Sequence, residues 1–71
     1  MEQEYNKIDI NGYTIIEYSE KSIVIQGEKT KDIKELIKEN GGKWNGNLKC
    51  GKGWIFSSKH REKVIKLLED N

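Results

Sequence analysis

The most suggestive spacing in the chain is Gly46-Asn47-Leu48-Lys49-Cys50-Gly51-Lys52, which satisfies G-x-x-x-x-G-K, the opening of a phosphate-cradling loop. A working loop of that kind needs Ser or Thr next, to hold Mg²⁺, with a helix N-terminus directly behind it. Here Gly53 follows and then Trp54-Ile55-Phe56, a strand sequence, so nucleotide hydrolysis is ruled out. A glycine-rich basic loop still keeps the capacity to hold phosphate through backbone amides. Soft metal ligands are confined to Cys50 and His60, too few for the four-ligand set of a structural zinc site. Lys49 and Lys52 beside Cys50 would depress its pKa, but without a Cys-His-Asn pattern the thiol reads as a small residue in a tight loop. His60 reads as a surface residue at a helix start. Asp32, Glu35 and Glu39 interleave with Lys31, Lys34 and Lys38, which predicts a solvated helix face rather than an acid–base pair. The expectation is a non-enzymatic chain with no cofactor and no metal.

Charge is distributed more tellingly than the formal net of +1 suggests. Residues 1–28 carry −4, residues 29–66 carry +7 and residues 67–71 carry −2. Between residues 40 and 61 there is no acid at all, only Lys43, Lys49, Lys52, Lys59 and Arg61, interspersed with Trp44, Trp54, Asn45 and Asn47. Cationic groups near aromatic faces and adaptable amides are what phosphate contact combined with base stacking requires. Trp54 and Phe56, spaced two apart, read as core, because a small domain needs their buried area. Trp44 lies by a turn, and buried and exposed readings both stand.

The elements that must position these residues follow from periodicity. Seventy-one residues allow one domain, and 34% hydrophobic against 35% charged residues means a lean core. Residues 1–11 read as a flexible or loosely packed arm, leaving 12–71 as the domain. Tyr13-Thr14-Ile15-Ile16-Glu17-Tyr18 and Ser22-Ile23-Val24-Ile25-Gln26, around a polar break, predict a β-hairpin. The uninterrupted Ile23-Val24-Ile25 run predicts a central strand covered on both faces. Ile33, Leu36 and Ile37 form one helical stripe, with Thr30 as its cap and Asn40-Gly41-Gly42 as its stop. Lys43-Trp44-Asn45 and Gly53–Ser57 read as strands joined by a basic glycine-rich loop that opens on an Asn45-Gly46 turn. Ser57 or Ser58 then caps a last helix bearing Val64, Ile65, Leu67 and Leu68, with Glu69-Asp70 set to fray its end. The predicted fold is α+β in the order ββαββα: a four-stranded, mostly antiparallel sheet with two helices on one face. Tyr13, Ile15 and Val24 would then supply apolar area on the other face.

Gly41-Gly42-Lys43-Trp44-Asn45 after a helix and Gly53-Trp54-Ile55-Phe56-Ser57 before one, with Ser22–Gly27 and Thr30-Lys31 upstream, span about residues 20–68. This pattern resembles a short α+β module of large DNA viruses, phages and other mobile elements. More distantly it is similar to the HARP domain of annealing helicases, which sets an aromatic-x-aromatic strand after a helix and binds DNA. The resemblance implies a small non-enzymatic module used in nucleic-acid processing.

The function expected is DNA or RNA binding through the basic loop and the start of the last helix. The site comprises Lys43, Trp44, Asn45, Lys49, Lys52, Lys59 and Arg61. The alternative is a protein-binding module, such as a phage or mobile-element inhibitor of a host protein. A homodimer would relieve the shortage of core. No segment approaches the ~18 apolar residues of a membrane span, and the acidic Met1-Glu2-Gln3-Glu4 start is unlike a signal peptide. The lone Cys50 fits a reducing, cytoplasmic compartment.

Overall fold

The computed structural model describes residues 5–71; the acidic start at Met1-Glu2-Gln3-Glu4 lies outside them. The chain folds as α+β, with an open antiparallel sheet of five strands and two α-helices among the described residues. The strands are β1 (Asn6–Ile10), β2 (Tyr13–Glu17), β3 (Ser22–Gln26), β4 (Lys43–Leu48) and β5 (Gly51–Ser57), arranged β1-β2-β3-β5-β4. Helix α1 spans Lys34–Glu39 and α2 spans Arg61–Asp70, each entered through a 3-10 turn, Glu28–Ile33 and Ser58–His60.

The fifth strand corrects the expected count of four. It is β1, drawn from the stretch read as an arm, and it pairs along its whole length with β2. Asn11 (φ 51°) and Gly12 (φ 89°) make the two-residue turn between them, both with the positive φ that the strand twist of a tight hairpin demands. Lys29 fixes this turn by donating from Nζ to the Asn11 carbonyl at 2.7 Å.

Strand β3 is central, as its unbroken aliphatic run requires, and Ile23, Val24 and Ile25 are all buried. Alternation sends Tyr13, Ile15, Ile23, Ile25, Trp54 and Phe56 to one face, where they form a single cluster with Ile37 of α1 and with Val64 and Leu68 of α2. Both helices thus cover one face. The other face holds Ile16 and Val24, fully buried, rather than Tyr13 and Ile15. The β4–β5 hairpin tip reaches toward it: the Lys49 N–H donates to the Tyr18 hydroxyl at 3.3 Å. The Gln26 amide donates to the carbonyls of Cys50 (3.2 Å) and Lys52 (2.8 Å). Tyr5 stacks on Tyr18 beside this contact.

The end of α1 follows its sequence signal. Gly41, at φ 97°, donates to the Lys38 carbonyl and Gly42 donates at 2.9 Å to the Ile37 carbonyl, which the Asn40 N–H also reaches at 3.2 Å, so the last helix carbonyls are satisfied. Gly42 has a second constraint, because a Cβ there would collide with Ile37 Cγ2 and the Phe56 ring. The helix starts differ from expectation. Thr30 lies inside the 3-10 turn and its hydroxyl donates to the Gly27 carbonyl at 2.6 Å, so it caps no amide. Ser57 makes no side-chain cap, and Ser58 Oγ donates instead to Glu20 in the β2–β3 turn. At the far end α2 continues through Asp70, held by the Asn71 amide on Leu67 and the Tyr13 hydroxyl on the Asn71 carbonyl.

Candidate functional site

The expected glycine-rich loop is two strands and a turn. Strands β4 and β5 run through it, leaving only Lys49-Cys50 as the reversal. Asn45-Gly46 makes no hairpin turn; pairing slips between Asn45 and Leu48, and the Asn47 N–H donates to Asn45 Oδ1 at 2.8 Å, forming a bulge. The P-loop-like spacing therefore lies along a β-ladder and offers no phosphate cradle.

A concavity lies next to it. One cross-strand row on the helix-covered face runs Ile8, Ile15, Ile25, Trp54, Trp44 through all five strands. The helical layer stops short of its last member. Trp44, on edge strand β4, stays 55% exposed and meets the 6% exposed Trp54 edge-on at a ring separation of 5.2 Å. Between these rings and the 3-10 turn opens a groove of about 580 Å³, with Ile25 in its floor and Lys31, Lys34 and Lys52 on its walls. Among the described residues, Glu28 is its only carboxylate.

The lysines of the opposing wall line up for a geometric reason. Lys31 and Lys34 are three apart across the 3-10 turn, whose period eclipses such residues, and Lys38 follows four later on α1. Lys38 Nζ accordingly stands 6.0 Å from the Trp54 ring centroid. Asp32, Glu35 and Glu39 follow the same offsets one residue on and line an adjoining cleft with Asn71, a cleft that Lys31 and Lys34 line as well. Lys31 and Lys34 thus stand between the groove beside the tryptophans and the adjoining cleft that holds the three carboxylates. Sequence reading merges lysines and carboxylates into one mixed, solvated face; the shared 3-then-4 offsets are the signal that separates them.

Of the expected site residues, Trp44 and Lys52 belong to the groove. Asn45 is committed to its bulge, and Lys49 stands at the hairpin tip over the other face. Lys43, next to Trp44 but pointing to the opposite side of the strand, lines another cleft with Lys21 and His60. Lys59 is exposed in the turn before α2. Arg61 is the correction with an electrostatic cause: its guanidinium pairs with Glu17 at 2.6 Å, the one ion pair among the described residues. A carboxylate from the acidic opening segment thus takes the cation assigned to the site.

Burial pushes the Cys50 thiol up, against the smaller lowering effects of a backbone hydrogen bond and of Lys7. The expected depression of that thiol by its lysine neighbours is not what the fold produces. No cluster of metal-ligating side chains occurs among the described residues, and no helix there is long and apolar enough to cross a membrane. Comparison with protein families, with curated proteins and with solved structures finds no match to this chain.

Proposed function

We propose that this chain is a non-enzymatic module that binds single-stranded nucleic acid, stacking a base on Trp44 while Lys31, Lys34 and Lys52 neutralise its phosphates. The observation that carries this reading is the half-exposed Trp44 ring at the mouth of a groove whose lysines form no ion pair with a described carboxylate. A large aromatic left in water costs a small domain buried area it needs, and base stacking of about 1–3 kcal/mol per base is a use that offsets this. A groove of about 580 Å³ has room for a splayed base, whereas a duplex keeps its base faces covered. The resemblance of Trp54-Ile55-Phe56, following a helix, to the aromatic-x-aromatic strand of the DNA-binding HARP domain supports the same reading. In this reading the phosphate contacts come from Lys31 in the turn before α1, Lys34 at the start of α1 and Lys52 of β5.

Fluorescence anisotropy with a labelled single-stranded oligothymidylate tests this directly. At about 20 mM salt, where screening is weak, wild type binds and Trp44→Ala binds about tenfold less tightly. Absence of binding to single-stranded DNA and RNA under those conditions overturns the reading. Recovery of a stoichiometric, nuclease-resistant protein partner in its place would establish protein capture instead.

A further inference from the structure

A second basic concavity adjoins the groove. It measures about 330 Å³ and is lined by Lys21, Lys43 and His60 together with Ser22 and Ser57. No carboxylate of the described residues lines it, and Glu17, which projects from the neighbouring β2, is already held by Arg61. The two spaces meet along consecutive residues: Trp44 and Trp54 line the groove, while Lys43 and Ile55 line the cleft. The cleft is lined by Phe56 of the helix-covered face as well as by Lys43 and Ile55 of the other, so it lies at the strand ends, and a ligand joining it to the groove follows the outer edge of β4. That edge has no neighbouring strand among the described residues, so it offers backbone N–H groups to phosphate oxygens. Ser22 and Ser57, paired across β3 and β5, bring hydroxyl donors to the same place.

We propose that this cleft is a second phosphate site, occupied by a phosphate further along the same strand whose base stacks on Trp44. The proposal rests on the groove reading and adds a path to it: the strand wraps the β4 edge from the Lys31, Lys34 and Lys52 wall to Lys21, Lys43 and His60. From Lys52 to Ser57, β5 covers about 17 Å at ~3.4 Å per residue, longer than one nucleotide can bridge. Ligand length is therefore the discriminating variable.

The test compares thymidine 5′-monophosphate with an oligothymidylate of about eight nucleotides, in wild type, Lys21→Ala/Lys43→Ala and Trp44→Ala proteins. The double variant should bind the mononucleotide as wild type does. It should bind the oligonucleotide about tenfold less tightly, with a salt slope smaller by about 0.7 for each phosphate no longer neutralised. Trp44→Ala should weaken both ligands. Unchanged oligonucleotide affinity and salt slope in the double variant, with Trp44→Ala still defective, overturns the second site and leaves the groove. A Trp44→Ala protein that binds both ligands like wild type overturns the groove and the path built on it. Since both lysines are exposed, thermal unfolding should be unchanged; Lys21→Glu/Lys43→Glu repeats the test with a larger charge change.

Discussion

The two edges of the sheet end the same cross-strand row in opposite ways. At the β1 edge the row stops at Ile8, 37% exposed, and at the β4 edge it stops at Trp44, 55% exposed. Around Ile8 two polar pairs form: Asn6 donates to Glu17, and the Thr14 hydroxyl donates to Asp9 at 2.9 Å. Helix α2 lies against this side of the sheet, and Ile10 packs on the core. Around Trp44 the lysines of the 3-10 turn and of β5 have no carboxylate partner among the described residues, and a groove opens between them. An exposed hydrophobic residue alone is unremarkable on a protein surface. What separates the edges is the groove beside Trp44, where Lys31, Lys34 and Lys52 converge on an exposed ring.

The centre of the row supplies the largest effect. Ile25→Ala, fully buried between Ile15 and Trp54, should cost about 2–5 kcal/mol in chemical denaturation, a heavy loss for a domain this small. Gly42→Ala should cost about 1–3 kcal/mol, because its methyl group must displace Ile37 or Phe56. A Gly42→Ala protein as stable as wild type would mean that α1 and β5 are less closely packed than described. At the two edges the readouts should part. Trp44→Ala removes about 1–3 kcal/mol of nucleic-acid binding, while Ile8→Ala leaves binding unchanged. Equal effects of the two on oligonucleotide affinity would erase the distinction between the edges. Arg61→Ala should be the mildest change, removing a partly exposed ion pair worth about 0.2–1 kcal/mol of stability and leaving oligonucleotide binding as it was.

The middle of the fold was legible because single residues there carry unambiguous instructions. Ile23-Val24-Ile25 points to a strand covered on both faces, Asn40-Gly41-Gly42 closes a helix, and Trp54 and Phe56 share a face by parity. The edges were harder, because their strands are half solvated and weakly patterned. Two Asn-Gly pairs show why. Asn11-Gly12 makes the hairpin turn, while Asn45-Gly46 lies within β4, where Asn45 serves a bulge. Local propensity is alike at both, and tertiary contacts decide: Tyr18 and Gln26 hold the second hairpin's reversal at Lys49-Cys50. The site was half legible for a related reason. Trp44 and Lys52 stand in the acid-free run, but their partners Lys31 and Lys34 come from a segment whose acids mask them until its 3-10 and α periods are resolved. Glu17 could not be matched to Arg61 from a linear reading, since the pair joins positions far apart in the chain.

The dependence of oligonucleotide affinity on salt, compared between wild type and Lys31→Ala/Lys34→Ala/Lys52→Ala, measures the groove's phosphate neutralisation directly. Removing three cations should flatten the slope of log K against log salt concentration by about 2, at ~0.7 per phosphate on a single strand. A triple variant with the slope of wild type would place the phosphates elsewhere on the molecule and contradict the account.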